Sequence, residues 1–189
     1  MTTSKANSPV VIVLASGRGE RFIAAGGTGS KLKAPLAGRP VLERTLDAVR
    51  ASGLPWHLED AGHPGMGDSI AAAVRATPGA AGWLILPGDL PLVLPSTLRA
   101  VAAALGGRVN AVQPQYRGER GHPVGFGVAC GAQLAALEGN LGASSVLRSM
   151  RAIDSVADLA VDDAGIVTDI DTPEALARAE ALWLARGGA

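Results

Sequence analysis

Apolar positions follow two patterns that alternate along the chain. Val10-Val11-Ile12-Val13-Leu14 and Trp83-Leu84-Ile85-Leu86 are unbroken apolar runs closed by glycine-containing loops, and such runs predict strands buried on both faces. Between them, Val41, Leu42, Thr45, Leu46 and Val49 recur at helical spacing, with Pro40 at the first helical position and Gly53 as the stop. A short strand over 56–59 leads to Gly65-Met66-Gly67-Asp68-Ser69, where Asp68 is expected to cap a helix running to Thr77. Ser96 is likewise expected to cap a helix reaching Leu105. Further strands are predicted over 111–115, 124–129, 157–161 and 166–170, and helices near 132–137 and 144–150. A last helix should run from Thr172-Pro173-Glu174 to Arg186.

Strands alternating with helices predict an α/β fold: a mostly parallel, doubly wound, Rossmann-like sheet with helices on both faces and a hairpin or two in the second half. The 189 residues fit a single domain over 1–189, with the polar residues 1–8 frayed. Hydrophobic residues make up 48% and aromatics only 3%, so the core is expected to be aliphatic, with small residues letting helices approach the sheet. Seventeen basic residues balance seventeen acidic ones. That balance argues against a nucleic-acid or anionic-membrane binder, which needs a large positive field, and points to a small-molecule partner. Cys130 is the only cysteine, which excludes an intrachain disulfide and suits a reducing cytoplasm. The run from Val10 is too short for a membrane span or a signal-peptide core.

Ligands of open α/β sheets bind outside the carboxyl ends of the strands, where the loops after Leu14, Leu86 and Ile170 are expected to converge. The first loop, Leu14-Ala15-Ser16-Gly17-Arg18-Gly19-Glu20-Arg21-Phe22, offers glycine amides with Arg18, Arg21, Lys31 and Lys33. Close backbone approach plus mobile cations is what a triphosphate needs. The loop lacks the third glycine of the dinucleotide fingerprint, and Gly29-Ser30-Lys31-Leu32 lacks the Gly-Lys-Ser/Thr order of a P-loop. Asp89, at the end of a buried run, is either a Mg²⁺ ligand or a turn former. Asp171, with Glu174 three residues on, reads more readily as a helix cap than as a metal ligand. His122, in Arg120-Gly121-His122-Pro123, could reach a second substrate or be satisfied within a hairpin. His57, His63 and Cys130 lack a metal-ligand spacing or a neighbouring base and are assigned no chemistry.

The order of these pieces resembles the molybdenum cofactor nucleotidyltransferases, particularly their cytidylyltransferase branch. The landmarks are Leu-Ala-Ser-Gly-x-Gly-x-Arg-Phe with Lys31 and Pro35-Leu36-x-Gly-Arg-Pro, Gly-Met-Gly-x-Ser at 65–69, Leu-Pro-Gly-Asp-x-Pro at 86–91, Arg-Gly-His-Pro-Val at 120–124 and Asp-Ile-Asp-Thr-Pro-Glu at 169–174. The resemblance implies a glycosyltransferase-A-like nucleotidyltransferase fold. It implies that Leu14, Ala15, Ser16, Gly17, Gly19, Arg21, Lys31, Gly67 and Ser69 bind the nucleotide, with Arg21, Lys31 and Asp89 catalytic. Asp89 and Asp171 would hold Mg²⁺, and Arg120 and His122 would face a phosphorylated pterin acceptor. CTP is favoured over GTP because Gly-Met-Gly-x-Ser and Arg-Gly-His-Pro look like the CTP-using branch, although Ser16 matches neither branch. Two departures mark this chain: a glycine-alanine insertion between Phe22 and Lys31, and a short segment before Gly65.

The implied reaction moves a nucleoside monophosphate from CTP to molybdopterin or molybdenum cofactor and releases pyrophosphate, with a molybdoenzyme or its chaperone as a further partner. A phosphate monoester carries charge at neutral pH, its second pKa being about 6, so it attacks with little base catalysis. The alternatives are transfer to a sugar or polyol phosphate on the same fold, or a catalytically weak nucleotide-binding regulator of molybdoenzyme assembly.

Overall fold

The structure, a computed structural model, describes residues 8–17 and 19–187, so the frayed start expected over 1–8 lies almost wholly outside the described residues, as does Arg18. The chain opens with β1 (Val10–Leu14), the glycine loop, α1 (Glu20–Ala24) and a small hairpin of β2 (Pro35–Leu36) and β3 (Arg39–Pro40). Next come α2 (Val41–Ser52), β4 (Trp56–Glu59), α3 (Met66–Ala76), β5 (Gly82–Pro87) and α4 (Pro95–Ala104). The second half adds β6 (Ala111–Tyr116), β7 (Glu119–Arg120), β8 (Val124–Gly127), α5 (Gly131–Ala135), α6 (Ser144–Ala152), β9 (Val156–Ala160) and α7 (Pro173–Ala185).

β1 is flanked in parallel by β4 and β5, and β8 returns antiparallel beside β5. β6 runs antiparallel to β8, with β9 parallel along its other edge and β7 closing a hairpin on its end. Within this seven-stranded sheet β1, β4, β5, β6 and β9 therefore share one direction, and β7 and β8 oppose it. Pleating sends alternate side chains to opposite faces. Val11, Val13, Leu84 and Leu86 pack under α2 and α4, while Ile12, Trp83 and Ile85 pack under α3, α5 and α6. A third cluster of Phe22, Leu36, Val41, Leu92, Ile170 and Ala179 fastens α1 and α7 to the hairpin. Among the described residues no helix is long and apolar enough to cross a membrane.

Several local expectations are corrected. The strand expected over 166–170 is a 3-10 turn, Ala164–Val167, followed by irregular chain. A short apolar run does not declare its conformation, and here both edges of β6 are already taken by β9 and by β7 with β8. The segment instead packs on the loop after β5, so closely that a Cβ on Gly165 would lie 2.0 Å from the Leu92 carbonyl oxygen. The strand expected over 124–129 stops at Gly127, where a 3-10 turn begins.

Caps move as well. Gly65, not Asp68, precedes α3, and Asp68 accepts the Gly139 amide at 3.0 Å. Ser96 lies within α4 and is exposed. The start of that helix is capped from a distance by the buried Asp163, which accepts from Leu94 N and Thr97 Oγ1 at 2.9 and 2.7 Å. Pro40 stands one residue ahead of α2. Thr172, not Asp171, caps α7, its hydroxyl accepting from Ala175 N at 3.1 Å. Asp171 is thereby free of the capping role that its spacing from Glu174 suggested.

Candidate active site

Glycine lets two loops touch at the carboxyl end of the sheet. Gly88 donates its amide to Leu14 O at 2.9 Å, and a Cβ there would come within 3.0 Å of that oxygen and of Leu42 Cδ1. The Gly88 carbonyl accepts the buried Thr45 hydroxyl at 2.9 Å, so Asp89 leaves the sheet from a braced turn. The backbone oxygen of Asp89 then accepts Ile170 N at 3.1 Å, which brings Asp171 alongside although no strand leads to it.

Lys31 stands between the two carboxylates. Its Nζ lies 2.5 Å from Asp89 Oδ2 and 2.6 Å from Asp171 Oδ1, while Arg21 Nη1 reaches the other Asp171 oxygen at 2.8 Å. Burial alone would lower the Lys31 pKa, but Asp89 and Asp171 more than offset it and hold the ammonium above its ordinary value. The Lys31 hydrogen bond, opposed by burial and aided by Arg21, holds the Asp171 carboxyl below the usual range. A cation is thus already seated between two carboxylate oxygens. Among the described residues no cluster of three or more His, Cys, Asp or Glu side chains could hold a metal, so a metal ion here would take two carboxylates and complete its shell from phosphate and water, the pattern Mg²⁺ favours.

These groups border a cavity of about 790 Å³. Of the expected nucleotide residues, Leu14, Ser16, Gly17, Gly19, Arg21, Lys31 and Ser69 line it. Ala15 and Gly67 stand outside its wall with their amides committed to Glu59 O at 2.9 Å and Gly139 O at 2.7 Å. The glycines before and within α3 instead admit the 138–142 loop, since a Cβ on Gly65 would lie 2.2 Å from the Gly139 carbonyl. Gly19 takes a left-handed conformation, φ 65°, to start α1 beside Lys31.

The cavity lining also carries Arg120 and His122. His122 donates its backbone amide to Ile166 O at 3.0 Å, and a Cβ on Gly121 would lie 2.3 Å from that same oxygen. The 3-10 turn over 164–167 is therefore the mould for the His122 turn. Burial pushes the His122 pKa down, against the opposing pull of Asp89 and Asp169, so the ring is neutral at pH 7. Arg120 also lies 3.6 Å from Asp158.

Sequence reasoning passed over His63, Asn140 and Asp169, all of which line the cavity. For His63 the available signal was its place just past β4, another carboxyl end of the sheet.

The chain is similar to known proteins in sequence and in fold. Bifunctional protein GlmU of Halorhodospira halophila is 32% identical over 119 residues, which are 51% of this chain and 24% of that protein, so the match spans about a quarter of the relative's length. The crystal structure of Rv0371c from Mycobacterium tuberculosis H37Rv superposes with a TM-score of 0.77 at 28% identity, covering 93% of this chain and 99% of the other. A second structure of Rv0371c, in complex with manganese, gives 0.68 at 24% identity over 90% and 97%. Molybdopterin-guanine dinucleotide biosynthesis protein A from Archaeoglobus fulgidus shares the fold, with a TM-score of 0.58 at 19% identity over 92% and 97%. The MobA-like NTP transferase domain matches residues 48–156, a span that includes Asp89 and His122 and ends before Asp171. With more than half of the chain matched and the nucleotidyltransferase fold around it, the chain belongs to the family of MobA-like NTP transferase domains.

Proposed function

We propose that the chain transfers a nucleoside monophosphate from a nucleoside triphosphate, CTP in preference to GTP, to a phosphorylated pterin acceptor and releases pyrophosphate. The observation that carries this reading is the Lys31 ammonium seated between Asp89 and Asp171 at the edge of the cavity. Those two carboxylates would hold Mg²⁺, and the manganese complex of Rv0371c supports a divalent ion in a relative of this fold. When bound, the ion supplies charge neutralisation at the reacting phosphates.

An acceptor phosphate oxygen attacks the α-phosphorus, a new P–O–P linkage forms, and the bond from the α-phosphorus to the bridging oxygen breaks as pyrophosphate leaves with the electron pair. Lys31 and Arg21 meet the negative charge of that leaving group, for which Lys31 swings from the carboxylates toward phosphate. Gly17 and Gly19 let the backbone approach the triphosphate closely. Arg120 holds the acceptor phosphate, and the neutral His122 hydrogen-bonds the acceptor beside it.

The test measures thermal stabilisation and pyrophosphate release with CTP, GTP, ATP and UTP, with Mg²⁺ or Mn²⁺, using molybdopterin and, in a separate arm, sugar and polyol phosphates. Release that requires the pterin supports the proposal. Release with a sugar or polyol phosphate alone replaces the acceptor, and stabilisation without release with any acceptor makes the chain a nucleotide-binding regulator.

A further inference from the structure

A buried carboxylate sits behind the cavity wall and takes no part in the transfer described above. Glu59, at the end of β4, is only 5% exposed. Its Oε1 accepts Ala61 N at 3.1 Å and lies 3.5 Å from His63 Nε2, and its Oε2 lies 3.5 Å from His57 Nε2. The backbone oxygen of Glu59 accepts Ala15 N and Ser16 Oγ at 2.9 and 3.2 Å, which ties the end of β4 to the loop after β1. Of the two histidines, His63 lines the cavity.

The sheet topology says what should enter there. The crossover from β1 to β4 passes through α1 and the β2–β3 hairpin to α2, packed on one face, whereas β4 continues into α3, packed on the other. Adjacent parallel strands whose connections leave to opposite faces open a crevice at their carboxyl ends, the preferred ligand position in open α/β sheets. The walls at this end include Leu14, Pro64, Met66 and Pro87, apolar surface suited to a flat ring. The hydroxyl hydrogens of Ser16 and Ser69 are already given to Glu59 O and Gly65 O. Among the described polar side chains of the lining, His63 stands 3.5 Å from the buried Glu59 carboxyl group, and Asn140 borders the same cavity.

We propose that His63, oriented by Glu59, reads the base of the triphosphate and selects a ring with an exocyclic amino group, cytosine or adenine, over uracil or guanine. The inference rests on the transfer reading and deepens it by assigning the base specificity. A buried carboxylate demands donors, and Glu59 Oε1 faces His63 Nε2 at 3.5 Å, so a proton placed on Nε2 points to Glu59 and leaves Nδ1 as the acceptor on the remaining edge. Cytosine N4 and adenine N6 donate hydrogen bonds, whereas uracil O4 and guanine O6 only accept and would oppose that lone pair. A site that demands a donor rejects the analogue lacking it because a buried polar group is left unpaired. Glu59 is a positioning residue, and His63 is the specificity residue.

Isothermal titration calorimetry with CTP, UTP, ATP and GTP in Mg²⁺ at pH 8 tests this on the full chain. The wild type should bind CTP about tenfold or more tightly than UTP. H63A should still bind CTP, but with the CTP to UTP ratio reduced to within about threefold. H57A, which alters the histidine away from the cavity, should keep the wild-type ratio. E59A should narrow the ratio, and E59Q, which retains an oxygen for Ala61 and His63, should restore most of it. An unchanged ratio in H63A overturns this inference alone, whereas a wild-type preference for UTP or GTP overturns it together with the CTP preference proposed above and leaves nucleotidyl transfer itself standing. Failure of all four triphosphates to bind overturns the transfer reading and this inference with it.

Discussion

The lysine–carboxylate centre and the His122 turn border the same cavity but are held in different ways. At the centre, Lys31, Asp89, Asp171 and Arg21 satisfy one another as charges, on loops whose backbones are pinned by Gly88 and Ile170. At the turn, His122 is positioned by backbone packing against Ile166, and burial keeps its ring neutral. The first region spends its charge on itself until a ligand redistributes it. The second offers a neutral, fixed edge. A charged centre suits phosphates and a metal ion, and a neutral edge suits orientation of an acceptor.

The strongest way to break this contrast is D89N. Loss of the carboxylate that faces Lys31 is expected to lower kcat by about 100-fold or more while the far-UV circular dichroism is unchanged. Near-normal turnover would remove Asp89 from the chemistry. K31A comes next: triphosphate binding should weaken about tenfold or more. Two carboxylates would then face each other without their shared cation, so the ligand-free melting temperature should fall and the stabilisation by Mg²⁺ or Mn²⁺ should exceed that of the wild type. An equal metal response in both proteins would show that the ammonium is not seated in the cation position.

Substitution at the His122 turn should separate binding from centre chemistry. H122A is expected to raise KM for the acceptor about tenfold and to leave the triphosphate dissociation constant unaltered. A parallel loss of triphosphate affinity would merge the two regions into one. The smallest effect concerns pH. The folded-state pKa of Asp171 is depressed below 3.8 by Lys31, so its contribution to stability is present above about pH 3.8 and is lost as pH falls through the lower folded value. Lys31 expresses the same contact from the other side: its raised pKa gives a contribution present below about pH 10.5 and lost as pH rises through the folded value. Metal-free melting curves of D171N should therefore flatten at the acid end relative to wild type, and curves that superpose would argue against the contact.

Much of the fold was legible because the apolar runs of β1 and β5 and the helical spacing in α2 report burial directly. The loop at 166–170 was not, because the same apolar residues serve a strand or an irregular plug, and only the occupied edges of β6 decide between them. Asp171 was partly legible: its spacing from Glu174 suggested a cap, but Thr172 takes that role and leaves both carboxylate oxygens for cations. For His63 only its place just past β4 was legible; that Glu59 behind it is buried was not, because nothing local in that stretch reports it.

By itself, the sequence determined the alternation of strands and helices, the glycine positions where loops can touch, and the supply of cations and carboxylates at strand ends. Those properties are local, set by side-chain period and backbone freedom. Tertiary structure decided which charges meet. Lys31 lies 140 positions from Asp171, and their contact depends on the Asp89 backbone accepting Ile170 N, a bond between segments that no local pattern relates. It also decided that Gly67 serves the 138–142 loop, because whether an amide is free depends on what the rest of the chain packs against it.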